Sequence, residues 1–136
     1  MVELATDTTD GEPVDFHFRK ERRLQSKADF SLVFAARRSL RGELFDLHYR
    51  SISLGGISGS VGARLGVVIA KKLAHRAVQR NLLKRLARES FRLAWQQLPP
   101  FDLVLRLAKA PGNRLDDAAR RAWRADIENL LVRLQR

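Results

Sequence analysis

The chain has 136 residues, 45% of them hydrophobic, no cysteine, and 26 Lys and Arg against 15 acids, a formal charge of +11 at neutral pH. That length suits one domain with a modest core, and the missing cysteine excludes disulfides, thiolate catalysis and Cys-based metal sites. A charge surplus this large favours a polyanionic partner, nucleic acid or anionic lipid.

The first 15 residues hold five of the acids (Glu3, Asp7, Asp10, Glu12 and Asp15) and no base. Residues 1–18 read as a disordered acidic tail, with neither apolar spacing nor the apolar run of a signal peptide. A cytoplasmic location follows as the expectation, with residues 19–136 as a single α/β domain. Ser26 with Asp29 forms an N-cap pair, and Phe30, Val33 and Phe34 follow at helical spacing, with Arg37 and Arg38 near the helix end. From Leu44 to Ile52 the sequence alternates, Phe45, Leu47 and Tyr49 on one face and Asp46, His48 and Arg50 on the other, the pattern of a half-buried strand. Gly55, Gly56, Gly59 and Gly62 mark a loop. Leu65 to Ala70 reads as a short strand, Arg76 to Leu98 as a long helix stopped by Pro99-Pro100, and Asp102 to Leu107 as another strand. After the Pro111-Gly112 turn, Asn113 is the expected cap of a final helix with the apolar stripe Trp123, Ile127, Leu130, Leu131 and Leu134.

Between Lys71 and Arg92 the sequence KKLAHRAVQRNLLKRLARESFR carries eight Lys and Arg against one acid, Glu89. At about 100° per residue, Arg80, Lys84, Arg88, Asn81, Arg92 and Arg85 fall within about 140°, whereas Leu82, Leu83, Leu86, Ala87, Leu93 and Ala94 fall between roughly 200° and 340°. A solvated helix face interleaves Glu with Lys at i,i+4; here Arg80, Lys84, Arg88 and Arg92 are like-charged at that spacing, which costs stability unless phosphates neutralise the row. Arg adds bidentate geometry towards phosphate. A membrane-surface helix would need its apolar side exposed, but that side has a sheet to cover. A helix-turn-helix DNA reader would place a short helix before the recognition helix, where this chain has a Val/Ile strand. A ribosomal or RNA-chaperone type of RNA-binding protein would use the same basic helix.

No protein catalytic machinery is legible. His17, His48 and His75 form no i,i+4 pair, no phosphate-binding Gly loop follows a strand, and Asp46 and Asp102 have no obvious partner for a two-metal site. Catalytic and metal-ligating protein residues are therefore expected to be absent.

The stretch RLGVVIAKKLAHRAVQRNLLKRLARESFR resembles the signature of the bacterial ribonuclease P protein family, in which a strand ending in Lys-Lys leads into a helix with an Arg-Asn box. RLQSKADFSLVFAARR is similar to that family's first helix, and FDLVLRLAK to the strand after its long helix; together the likeness spans roughly residues 22–134. The family box usually continues Arg-Asn-Arg, and here Leu82 stands in place of the second Arg, at the edge of the apolar side.

The resemblance implies an α/β (α+β) two-layer sandwich, a small mixed sheet with three helices and a left-handed βαβ crossover, ribosomal-protein-S5-domain-2-like. Handed crossovers of that kind are rare. It implies a subunit that helps a catalytic RNA remove the 5′ leader of precursor tRNA, with Mg2+ held mainly by the RNA and no membrane involved. Carried over by motif, Lys71, Lys72, Arg76, Arg80, Asn81, Lys84, Arg85 and Arg88 would meet the catalytic RNA. A cleft holding the single-stranded leader would use Phe30, Phe34, His48, Val68 and Ala70. Spacing alone, with Val33 beside them, favours the core over a cleft for Phe30 and Phe34, and fits His48 to solvent as well as to a cleft.

Overall fold

A computed structural model describes residues 23–24, 26–51 and 62–135. The acidic tail and the glycines at 55, 56 and 59 lie outside them. In chain order the elements are α1 (Lys27–Ala35), β1 (Ser39–Arg41), β2 (Phe45–Ser51), β3 (Arg64–Val68), α2 (Ala77–Ala94), a 3-10 turn (Trp95–Gln97), β4 (Phe101–Leu107) and α3 (Asp117–Leu134).

The four strands form one mixed sheet in the order β1-β2-β4-β3, with β1–β2 and β2–β4 antiparallel and β3–β4 parallel. The parallel pair requires a crossover, and α2 provides it. Alternation decides which face each strand residue serves. Phe45 and Leu47 of β2, Leu65 and Val67 of β3, and Leu103, Leu105 and Leu107 of β4 are buried on one face. There they join Leu83, Leu86, Ala87 and Phe91 of α2 and Trp123, Ile127, Leu130 and Leu131 of α3 in the main core. The expected stripe of the last helix is thus the packed one, with Leu134 half-buried at its end.

On the other face lies α1. Leu24, Val33 and Val104 are its buried cluster, with Phe30 and Val68 packed around them. Residues 23–24 run beside β3, joined to it at Leu65. Gly66 is what allows α1 so close: a Cβ there would lie 2.5 Å from Cζ of Phe30.

Helix ends follow capping chemistry, with one correction. Ser26 caps α1 as expected, its Oγ accepting from the Asp29 N–H at 3.1 Å. The cap of α3, however, is Asp116, which accepts from the Ala119 N–H at 2.9 Å, and not Asn113. Gln79 of α2, itself buried, donates from Nε2 to the carbonyls of Gly112 at 2.8 Å and Arg114 at 3.5 Å, which ties the segment before α3 to α2. Strand β1 has no alternation long enough to be read from sequence; it forms because Leu40 and its neighbours pair with β2.

A candidate RNA interface

Two surfaces carry the residues singled out by the sequence. The first is the outer side of α2 and the segment before it. Lys71, Lys72, Arg76, Asn81 and Arg85 are exposed, and Arg80, Lys84 and Arg88 are half-buried. The opposite side of the helix is closed by Leu83, Leu86, Ala87 and Phe91, and Leu82 lies against the core at the boundary. So the residue standing where the related box has an Arg packs instead of projecting. Leu93, expected on the packed side, is 57% exposed. Its angle of roughly 220° puts it at the edge of the apolar arc, where a small rotation decides burial.

Like charges on this helix are partly relieved within the protein. Arg80 turns back and donates from Nη1 to the carbonyls of Ala74 at 3.0 Å and His75 at 2.8 Å, which tightens the entry to α2. Arg92 pairs with Glu89 at 2.6 Å. No acid occupies the first turn of α2, and its N-cap, Arg76, makes no side-chain cap bond. The helix dipole therefore adds to the positive potential around Lys71, Lys72 and Arg76 instead of being offset.

The second surface is the sheet face under α1. Phe34 (37% exposed) stands edge-on to His48, ring centroids 4.8 Å apart at 68°. Phe30 is half-buried over Gly66, Val68 is half-buried on the same face, and Ala70 is half-buried just beyond β3. The structure thus brings Phe30 and Val68 together beneath α1, and Phe34 with His48 at its edge.

Around these lies a polar frame that sequence reading missed. At one end, Asp102, fully buried, receives two 2.8 Å hydrogen bonds from Nε and Nη2 of Arg64. Arg50 stands 3.6 Å from the same carboxylate, and Arg64 also reaches Asp29 of α1 at 3.8 Å. At the other end, Arg106 approaches Asp46 at 3.4 Å and donates from Nε to Nε2 of His48 at 3.4 Å. Asp46 and Asp102, partnerless in sequence, are both engaged by arginines; only the strand register, which pairs Arg50 and Arg64 with Asp102 and Arg106 with Asp46, reveals it. Burial, and then the charge of Arg106, push the pKa of His48 below its ordinary 6.5, with Asp46 opposing. The imidazole is neutral at pH 7, as an acceptor for Arg106 must be.

Chemically the two surfaces can bind a polyanion along a helix and hold an unstacked strand in a groove with an aromatic edge. Among the described residues no three His, Asp or Glu side chains stand together as ligands for an ion. The buried carboxylates are committed, Asp102 to Arg64 and Asp126 to backbone amides. These side chains do not fit a Mg2+ site.

Comparison with known proteins agrees with the geometry. The family model described as Ribonuclease P matches residues 18–135. The ribonuclease P protein component of an Azoarcus species is 48% identical over 126 residues, covering 93% of this chain and 97% of that protein. Its counterpart in Aromatoleum aromaticum is 47% identical over 122 residues, covering 90% and 94%. Among solved structures, the RNase P protein from Thermotoga maritima superposes with a TM-score of 0.65 at 33% identity, over 82% of this chain and 96% of that one.

Proposed function

The chain belongs to the ribonuclease P protein family, and from that premise we propose that α2 holds the catalytic RNA while the groove beside α1 receives the single-stranded 5′ leader of precursor tRNA. As such it is the protein subunit of an endoribonuclease that matures tRNA 5′ ends, and its partner in the holoenzyme is RNA.

The observation that carries the division of labour is the arrangement of α2. A basic side, from Lys71 to Arg88, is turned outward while the opposite side is closed against the sheet. Bound phosphates relieve the like-charge repulsion along that side. With the groove on the sheet's far face, the protein holds two RNA segments and screens their mutual repulsion. The reaction itself belongs to the RNA partner, whose phosphates are the natural ligands for Mg2+; the polypeptide binds and positions. We place the complex in the cytoplasm. Among the described residues no helix is long and apolar enough to cross a membrane.

A filter-binding titration with the catalytic RNA tests the assignment. Neutralising about six phosphates gives a slope of about −4 to −5 for log affinity against log salt, at about −0.7 to −0.9 per phosphate. A slope near zero rules the phosphate row out.

A further inference from the structure

The strongest charge imbalance in the chain lies between two of its own segments. Residues 71–92 carry eight Lys and Arg against one acid, and residues 1–15 carry five acids and no base. Other groups of basic residues are matched by nearby acids. On the sheet face under α1, Arg50, Arg64 and Arg106 already meet Asp102, Asp29 and Asp46. On α3, Arg114 pairs with Asp116, and Arg120, Arg121 and Arg124 are interleaved with Asp117 and Glu128. The fold also brings the two segments to one end of the sheet. Leu24, fully buried, donates its N–H to the carbonyl of Leu65 at 3.1 Å, and Arg23 forms a parallel bridge with Leu65. The chain therefore reaches Arg23 from the Arg64 end of β3. It leaves α2 at the same end, where Trp95 donates from Nε1 to the carbonyl of Ala63 at 2.9 Å. From Arg23, Asp15 lies eight residues back and Glu3 twenty, reaches of up to about 26 and 66 Å at roughly 3.3 Å per residue. Helix α2 is about 27 Å long, so each of the five acids can reach some part of its basic side.

We propose that residues 1–15 dock on the basic side of α2 and compete there with RNA. The proposal rests on the reading of α2 as an RNA-binding side and adds a regulator to it. Carboxylates relieve the i,i+4 repulsion among Arg80, Lys84, Arg88 and Arg92 when no phosphate is present. Arginine pairs bidentately with a carboxylate as it does with a phosphate, so the segment uses the same guanidinium groups. The competition is intramolecular, at an effective concentration of about 1 mM. A contact with a Kd of about 0.1 mM, at the weak end of non-specific protein–nucleic-acid binding, then weakens any RNA that must displace it about tenfold. The consequence is a threshold. RNAs that bind weakly fail to occupy α2 at their working concentration, whereas a partner with many phosphate contacts still saturates it.

The test compares the full chain with a variant carrying Glu3→Gln, Asp7→Asn, Asp10→Asn, Glu12→Gln and Asp15→Asn; all five positions lie outside the described residues. The probes are the catalytic RNA and a single-stranded RNA of about ten nucleotides. The neutralised variant is expected to bind both about tenfold more tightly at about 50 mM salt. The gain should fall below about twofold at about 0.5 M salt, where the Debye length is about 4 Å. A nitroxide on Thr8→Cys, unique because the chain has no cysteine, reports the contact itself. It is expected to broaden amide signals along the whole of α2, more than those of residues 118–122 on α3, and equally at two protein concentrations. The broadening should vanish in the neutralised variant and when either RNA is added. Equal RNA affinities of the two proteins overturn the proposal. A gain in affinity without label contact at α2 also overturns it, because net charge then acts at a distance. Broadening that grows with protein concentration places the segment on a second copy and overturns it as well. The α2 reading fails by a separate result: a salt slope near zero for the neutralised variant with the catalytic RNA, whatever the label shows.

Discussion

Gly42 stands where the carboxylate of Asp126 needs space: a Cβ at residue 42 would lie 2.6 Å from Oδ1. From α3 that carboxylate accepts the backbone N–H groups of Glu43 at 2.7 Å, Leu44 at 2.9 Å and Phe45 at 3.0 Å, and so fastens the β1–β2 turn to the last helix.

Removing the acceptor orphans these amides in a partly buried setting. Asp126→Ala is expected to cost at least about 3 kcal/mol of stability, because each unsatisfied buried donor costs roughly 1–3 kcal/mol. Asp126→Asn should cost less, since one oxygen survives. Denaturant unfolding of both variants checks the order.

Arg80 and Arg85 separate structure from binding on one helix. The Arg80 guanidinium secures two carbonyls at the entry to α2, whereas the exposed Arg85 makes no such bond. Arg80→Ala should lower both catalytic-RNA affinity and folding stability, the latter by about 1 kcal/mol. Arg85→Ala should lower affinity and leave stability within about 0.5 kcal/mol. Melting curves and binding isotherms of the two variants provide the comparison.

Phe34 and Phe30 share a helix face and differ in burial. Phe34→Ala should weaken binding of long leaders by about 1–3 kcal/mol, the worth of one stacked base, and change stability by under about 1 kcal/mol. Phe30→Ala, which vacates the space over Gly66, should cost roughly 2 kcal/mol of stability or more. Affinity measured against leader length, beside thermal melting, distinguishes the two effects.

His48 gives a pH dependence of known sign. Its pKa is lower folded than the ordinary 6.5 of an unfolded chain. Its neutral-form contribution is therefore complete above pH 6.5 and is lost as pH falls through the folded value. Between those values the unfolded state binds more protons, so stability rises with pH. His48→Phe should flatten the loss of melting temperature below pH 6.5 relative to the parent protein. Parallel melting curves from pH 7.5 to 5 would contradict it.

The residues differ in how much of this was legible beforehand. The two sides of α2 and of β2 follow from periods of 3.6 and 2, so Leu83, Leu86, Phe45 and Leu47 were assignable to the core and the basic residues to the surface. The strand pairings of Asp46 and Asp102 depend on register, which one strand's pattern does not contain. Asp126 and Gln79 were invisible for a related reason: both are polar residues on the buried sides of helices whose partners lie 81 to 83 and 33 to 35 residues away. Asn113 and Asp116 are both capping residue types, so residue type alone does not choose between them, and the structure uses Asp116.

The groove's wall has a consequence of its own. The helix α1 rests on a cluster of three buried residues, Leu24, Val33 and Val104, apart from the large core on the sheet's other face. That cluster, with Phe30 and Val68 packed against it, is the smaller of the two, so α1 should open at less than the global unfolding free energy. Its amides should exchange with solvent well before those of α2 and α3, and a bound leader should slow them. Such an opening would widen the proposed leader groove by moving one short helix, while the scaffold that carries α2 stays fixed.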